Sequence, residues 1–268
     1  SAGLELLPLY EKVVLEASSS PNSSIENLFG QIMDLFLRCF AYDDIDVASA
    51  VLSFAARLTD YMNEKVTSSV EGSMQRRLPL LLATLVEQMK YPIDFQYDFE
   101  DDDDAEEEMF RTELSKVYSK MVRNAPSACL GFLYDLSSRQ LSGQNAASLP
   151  TPDIEATLRL FRHFGENIRP SPGIKTVMAN ETFCGLLRAF HESNIAQHPH
   201  REVVCSYYEM AVRYHLLFLK KEYEELLAPL LSAMSGTTGI QHVHPRVRSR
   251  CCYLFLRLVK PMVPLLRP

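Results

Sequence analysis

The sequence predicts an all-α protein made of antiparallel helix pairs that stack on one another. Apolar residues recur at the spacing of one helix face, three or four positions apart, in five stretches: 25–39, 47–62, 78–89, 110–122 and 223–234. No stretch alternates polar and apolar residues over the length of a strand. The starts of the predicted helices also recur at similar separations. Together these three observations predict helices and almost no sheet.

Five predicted helix starts are equivalent, because each follows a polar or proline-containing turn and opens the first helix of a pair. They lie near Asp44, Ala105, Pro152, His200 and Pro245. Their separations are 61, 47, 48 and 45 residues, and three of the four lie near the ~40–47-residue period of HEAT-type helix pairs. Such pairs bury their apolar stripes only by stacking, so the sequence predicts a HEAT-repeat α-solenoid.

The longest separation contains an acidic run, which we expect to form an inter-helix loop at about 97–108. Nine carboxylates occur there with no Lys or Arg between them: Asp98, Glu100, Asp101, Asp102, Asp103, Asp104, Glu106, Glu107 and Glu108. The net charge of the chain is −7, and without these nine residues it would be +2. Such a run is either a solvated, disordered loop or a contact for a basic surface on a protein partner.

The repeat pattern predicts a single array over residues 1–268. The last helix has Pro245 in its first turn, where the missing N–H of proline would have no helical partner in any case. The repeats stop at Pro268 without a polar capping helix, so we expect the chain to be a fragment of a longer receptor.

Composition and motifs argue against several classes of protein. No apolar run approaches the roughly 20 residues of a membrane span, and no basic segment followed by an apolar one begins the chain, so we expect an intracellular protein without membrane insertion. The six cysteines are scattered without CxxC spacing and are predicted to be reduced core residues. The pairs His198/His200 and His242/His244 flank prolines and are predicted to be loop histidines. Without a Gly-rich phosphate loop or a GxSxG motif, no enzyme, metal or cofactor is expected.

Four groups of residues, taken in order along the chain, match the pattern of one family. They are Cys39-Phe40-Ala41-Tyr42-Asp43-Asp44 running into Asp46-Val47-Ala48-Ser49; Met89-Lys90-Tyr91 leading to Tyr97-Asp98-Phe99-Glu100; Glu209-Met210-Ala211-Val212-Arg213-Tyr214; and Val247-Arg248-Ser249-Arg250 through Tyr253-Leu254-Phe255 to Val259-Lys260. In these groups of residues, and in the acidic run between the second and third groups, the chain resembles the middle part of the members of the exportin-T family. This family belongs to the importin-β-like transport receptors, the karyopherins.

The resemblance implies a monomeric receptor that binds tRNA together with Ran in its GTP-bound state in the nucleus and releases both in the cytoplasm after hydrolysis. It implies shuttling through the nuclear pore, with nucleoporins as further contacts. The alternative is a generic HEAT-repeat scaffold that binds proteins in its grooves and binds no RNA.

Three sets of charged residues are the candidate binding sites. On the last helix, four cations and one aromatic residue fall within about 80° of one another at 100° per residue, and such a row suits a phosphate backbone: Arg246, Arg250, Tyr253, Arg257 and Lys260. The alternative is an ordinary solvated face. A second, smaller stripe comprises Lys116, Lys120 and Arg123, for which the alternative is pairing with acids such as Glu113. The resemblance assigns Ran binding to the acidic run: Asp101, Asp102, Asp103, Asp104, Glu106 and Glu107.

Overall fold

The computed structural model describes residues 23–61, 69–92, 95, 97, 102–141, 146–169 and 173–266. These residues form helices and no strand, so the predicted all-α, HEAT-like fold is confirmed. No helix among them is long and apolar enough to cross a bilayer. The α-helices are α1 (Ser23–Phe40), α2 (Ile45–Ala50), α3 (Leu52–Leu58), α4 (Ser69–Gln88), α5 (Asp102–Asn124), α6 (Pro126–Leu141), α7 (Thr151–Asn167), α8 (Gly173–Met178), α9 (Glu181–Glu192), α10 (Arg201–Arg213), α11 (Leu227–Ser235) and α12 (Pro245–Leu266).

Among the described residues, five 3₁₀ segments lie between these helices, at Thr59–Tyr61, Ala146–Ser148, Ile195–Gln197, His215–Leu219 and Lys221–Leu226. The apolar stripe at 223–234 was predicted to lie on one helix, and it is divided between the last 3₁₀ segment and α11. The chain falls into two compact units, which divide between Phe132 and Leu133, within α6. A single array over residues 1–268 therefore stays a prediction.

Local capping explains why four of the five predicted helix starts are confirmed. Asp44 caps α2, because its carboxylate accepts hydrogen bonds from the backbone N–H groups of Asp46 at 2.9 Å and Val47 at 3.3 Å. Pro152 lies in the first turn of α7 and Pro245 is the first residue of α12. The imidazole of His200 accepts from the backbone N–H of Glu202 at 3.3 Å and so caps α10.

The paired histidines are loop residues, as predicted, and they order the turns before two helices. The Nδ1 atom of His198 accepts a hydrogen bond from the backbone N–H of His200 at 3.0 Å. The Nδ1 atom of His242 accepts in the same way from the N–H of His244 at 2.9 Å. His244 in turn accepts from the N–H of Arg246 at 3.3 Å, so the same capping arrangement recurs before α10 and before α12.

The acidic run is helical where a loop was expected. Helix α5 begins at Asp102, so the prediction of a loop at 97–108 is wrong from Asp102 onward, and the helix start predicted near Ala105 lies three residues earlier. Carboxylates are stabilised by the positive end of the helix dipole, and this allows the acidic residues to form the first turns of the helix. Asp98, Glu100 and Asp101 lie outside the described residues.

In the first unit a buried arginine ties the segment after α4 to helix α5. Arg111 is fully buried, and its Nε donates a hydrogen bond to the Met89 carbonyl oxygen at 2.7 Å. Its guanidinium group lies over the Tyr91 ring, 3.5 Å from the centroid. Both Arg111 and the Tyr91 hydroxyl reach one oxygen of Glu108, at 3.3 and 2.6 Å. Around this anchor α4 and α3 pack on α5, while α1 packs on α2 and α4.

In the second unit, helices α7, α10 and α12 lie side by side and run in the same direction. Ion pairs show the order: Arg162 and Glu166 of α7 face Glu209 and Arg213 of α10, and Glu202 and Glu209 of α10 face Arg246 and Arg250 of α12. Equivalent helices of successive HEAT pairs lie parallel in this way. Helix α9 runs opposite to α7, since Phe164 stacks on Phe183 while Phe161 reaches Phe190 further along.

Tyr214, which follows α10, joins that helix to α7. Its hydroxyl group accepts a hydrogen bond from the backbone N–H of Gly165 at 3.2 Å and donates to the Phe161 carbonyl oxygen. A Cβ atom on Gly165 would overlap the Tyr214 ring, so the close approach requires glycine.

The cysteines are free thiols, and their burial differs from the expectation in one case. Cys129, Cys184 and Cys251 are buried, and Cys39 and Cys205 are partly buried. Cys252 is exposed, because it follows the core-facing Cys251 on α12 and therefore points about 100° away from it.

Candidate nucleic-acid interface

The five residues of the predicted basic ridge all lie on the exposed face of α12. We use this name for Arg246, Arg250, Tyr253, Arg257 and Lys260, and each is exposed. The opposite face of the helix is buried as predicted, with Val247, Cys251, Leu254 and Leu258 at most 3% exposed. The apolar stripe of α12 thus fixes the direction in which the basic ridge points.

The N-terminal half of the basic ridge is ion-paired with α10. The guanidinium group of Arg250 forms a fork on one oxygen of Glu209, with Nε at 2.7 Å and a terminal nitrogen at 2.6 Å. Arg246 lies 3.7 Å from a carboxylate oxygen of Glu202. The sequence predicted a row of cations, and the structure adds carboxylates from the neighbouring helix to two of them.

The centre of the basic ridge is an aromatic ring between two guanidinium groups. Tyr253 is 50% exposed, and the guanidinium carbons of Arg250 and Arg257 lie 5.4 and 5.6 Å from its centroid. Arg257 also donates a hydrogen bond to the Tyr253 hydroxyl at 3.3 Å. Cation–π contacts of this kind hold both cations at the surface.

Beside the basic ridge, helices α7, α10 and α12 line a pocket of about 90 Å³ that is open to solvent. Four of its lining residues are arginines and one is an acid, and the set is Arg162, Glu209, Val212, Arg213, Arg250, Leu254 and Arg257. We call it the four-arginine pocket. Glu209 lies at its centre, because it meets Arg250 on one side and lies 3.5 Å from Arg162 on the other.

Glu166 is the second acid of this cluster. It lies 2.6 Å from Arg213 and 3.5 Å from Arg162. Four arginines and two glutamates leave a formal charge of +2. His163, next to Arg162, does not add to it: burial, together with the charges of Arg159, Arg162 and Arg213 and against that of Glu166, lowers the pKa of His163 to about 4. The cluster therefore carries an excess of positive charge at neutral pH.

Comparison with known proteins agrees with the resemblance in sequence. A family model described as Exportin-T matches residues 19–267. The chain belongs to the Exportin-T family. Relatives named Exportin-T include proteins from Neurospora crassa, 26% identical over 256 residues, from Danio rerio, 22% identical over 232 residues, and from Homo sapiens, 22% identical over 238 residues.

These alignments cover most of this chain and a small part of each relative. The share is 92% of this chain and 24% of the Neurospora crassa protein, 85% and 23% for Danio rerio, and 87% and 24% for Homo sapiens. The chain thus spans about a quarter of the length of these Exportin-T relatives.

Two arginines of the four-arginine pocket were not recognised as site residues from the sequence. Arg162 and Arg213 stand apart from the basic ridge in sequence and reach it only through the stacking of α7 and α10 on α12. The repeat period carried the signal: Arg213 precedes Arg257 by 44 residues, and Arg162 precedes Glu209 by 47. Residues that are one repeat period apart in sequence therefore lie close together on neighbouring parallel helices.

The second basic stripe lies on α5, in the first unit, and two of its residues have intramolecular partners. Lys116 pairs with Glu113 one turn away, the alternative weighed for it from the sequence. Lys120 donates to the Ala56 carbonyl oxygen at 3.1 Å and lies 3.3 Å from Asp60. Arg123 is exposed. The assignment of this stripe to tRNA stays a prediction.

The residues assigned to Ran differ in their accessibility. Glu106 is exposed in the second turn of α5, whereas Glu107 is buried, at 9% exposure. The backbone of Asp102, Asp103 and Asp104 forms the first turn of the same helix. Asp101 lies outside the described residues. Burial removes Glu107 from the surface available to a partner, and the remaining contacts stay a prediction.

Proposed function

We propose that this chain is a segment of a receptor that carries tRNA from the nucleus to the cytoplasm, in a complex that forms with Ran in its GTP-bound state. Membership of the Exportin-T family over residues 19–267 supports the transport role. The observation that carries RNA binding is the centre of the basic ridge, where Tyr253 lies half exposed between Arg250 and Arg257.

The basic ridge suits the backbone of a folded RNA. Guanidinium groups donate paired hydrogen bonds to phosphate oxygens, and each neutralised phosphate releases counterions. Lys260 is exposed on α12 less than one turn beyond Arg257, so positive charge continues along the helix. Contacts of this type read the charge and shape of the RNA and carry little sequence information.

Ran binding is assigned to the acidic N-terminus of α5, where Glu106 is exposed. A helix that begins in a run of carboxylates presents concentrated negative charge, which attracts a basic protein surface and repels phosphate at short range. The acidic helix and the basic ridge belong to different compact units of the chain. In this proposal the protein and RNA partners bind different units. The resemblance to transport receptors adds that the receptor shuttles as a monomer and contacts nucleoporins in the pore.

A gel shift of the full-length receptor with tRNA, with and without Ran loaded with GTP, tests this function. We expect Ran-GTP to strengthen tRNA binding, and we expect the triple change Arg246→Glu, Arg250→Glu and Arg257→Glu to abolish most of it. Arg188→Glu is the matched control, because Arg188 of α9 is an exposed arginine paired with Glu192 and Glu225, outside the four-arginine pocket. A receptor that binds no tRNA under either condition would instead be a protein-binding HEAT scaffold.

A further inference from the structure

We propose that the four-arginine pocket binds one phosphodiester group of the RNA backbone, and that this phosphate takes the place of the Glu209 carboxylate between Arg250 and Arg162. This inference rests on the proposed RNA-binding function and names the site and the group within it. It concerns residues of three successive repeats, on α7, α10 and α12.

Arginines from two helices converge on the Glu209 carboxylate. One oxygen of Glu209 accepts from both nitrogens of the Arg250 fork, at 2.6 and 2.7 Å, and the other lies 3.5 Å from Arg162. Two guanidinium groups from helices on either side of α10 thus converge on one planar anion. A phosphodiester also presents two oxygens that share one negative charge, and the same forks bind it.

Positive charge exceeds negative charge around the four-arginine pocket. Arg257 donates to the Tyr253 hydroxyl group, and no carboxylate partner for it occurs among the residues that the structure describes. Arg213 and Arg162 both pair with Glu166, and Arg162 and Arg250 share Glu209. Glu166 and Glu209 therefore neutralise only two of the four guanidinium charges, and the remaining positive charge attracts a phosphate toward the pocket.

The arginines of the four-arginine pocket are accessible from solvent. The side chains of Arg162, Arg213 and Arg250 are 55%, 43% and 45% exposed, and that of Glu209 is 25% exposed. The arginines are therefore accessible to an anion from solvent, while the partly buried Glu209 must rotate away from Arg162 and Arg250 before the anion takes its place. The volume of about 90 Å³ is several times the ~10–15 Å³ that one water molecule requires, which leaves room for one tetrahedral oxyanion.

Glu209 acts in this account as a built-in competitor for the phosphate. Its carboxylate holds Arg162 and Arg250 in place before RNA arrives, and it repels the phosphate that replaces it. In the alternative, Glu209 is a clip that joins α7 to α12 and supports RNA binding by holding the arginines and the helices in place. The two accounts predict opposite consequences for the neutral, nearly isosteric change Glu209→Gln.

The experiment is a filter-binding titration of tRNA with full-length receptor carrying Glu209→Gln, Arg162→Ala or the control Glu192→Gln. Glu192 accepts from Arg188 at 2.7 Å in an exposed pair on α9, so its change removes the same kind of contact outside the pocket. We expect Glu209→Gln to tighten binding about fivefold, the effect of removing one like charge at about 4 Å in a water-like dielectric. We expect Arg162→Ala to weaken binding and Glu192→Gln to leave it unchanged.

Three other outcomes overturn the inference, and they are distinguishable. Tight wild-type binding with no effect of Glu209→Gln or Arg162→Ala refutes the pocket and leaves the proposed function intact. Weaker tRNA binding by Glu209→Gln, together with a lower melting temperature, supports the clip and contradicts the competitor. Wild-type receptor that binds no tRNA refutes the function and the inference together.

Discussion

Replacement of the buried Arg111 by Leu provides a quantitative test of how the acidic helix is anchored. The change removes the hydrogen bond to the Met89 carbonyl oxygen, the contact with the Tyr91 ring and the pair with Glu108. An unsatisfied buried carbonyl costs about 1–3 kcal/mol, and a desolvated cation–π contact contributes about 2 kcal/mol. The pair with Glu108, whose side chain is 39% exposed, contributes at most about 1 kcal/mol.

The expected net effect is smaller than the sum of these contributions. Burial of the Arg111 charge has a desolvation cost in the wild-type protein, and the leucine variant does not have that cost. We expect the free energy of unfolding to fall by about 3 kcal/mol in urea titrations, within the range for loss of one partner from a buried charged network. Arg123→Leu is the matched control, since Arg123 is exposed near the end of the same helix, and its effect should stay within about 0.5 kcal/mol. A loss below about 1 kcal/mol for Arg111→Leu would refute the anchoring role.

Two further predictions concern stability. Burial lowers the pKa of His191 to about 4, below its ordinary value of about 6.5 in the unfolded chain, so the native state favours the neutral imidazole. The contribution of neutral His191 to the free energy of unfolding is fully present above pH 6.5 and falls as the pH drops toward 4, by about 1–2 kcal/mol between pH 7 and pH 5. Urea titrations of wild type and His191→Gln at several pH values check this, because the variant should lose that part of the pH dependence. Gly165→Ala should lower the free energy of unfolding by about 1–3 kcal/mol, because a methyl group overlaps the Tyr214 ring. Gly131→Ala is the control, because a Cβ atom there meets open space. Equal thermal midpoints for the two variants would contradict the close packing of Gly165 on Tyr214.

The parts of the fold that sequence predicts best are those set by local interactions. Asp44 is a preferred N-cap residue and Pro245 suits the first turn of a helix, so these starts could be read from the sequence. The start at His200 was predicted from the proline-containing turn before it, and its capping hydrogen bond is seen only in the structure. The buried face of α12 also follows from its own spacing of apolar residues. The acidic run was misread because its like charges disfavour a helix while the helix dipole favours carboxylates at this end, and the balance is decided by tertiary packing.

The candidate site was predicted in part, because half of it depends on contacts between repeats. Spacing along α12 placed Arg250, Tyr253 and Arg257 on one exposed face. It could not show that Glu209 lies opposite Arg250, since the register between stacked helices depends on loop lengths and packing. It also could not show that Arg162 and Arg213 line the pocket, because their position depends on the same register between stacked helices. In a repeat protein, residues one period apart should therefore be considered together as possible parts of one site.

The salt dependence of tRNA binding tests the central claim, that the basic ridge on α12 contacts phosphates, most directly. Binding of full-length wild-type receptor and of the Arg246→Glu, Arg250→Glu, Arg257→Glu variant is measured between low and physiological salt. Each phosphate contact adds about 0.7–0.9 to the slope of log K against log salt, so the account predicts a slope shallower by about 2–3 in the variant. An unchanged slope would contradict it, because the arginines would then neutralise no phosphate.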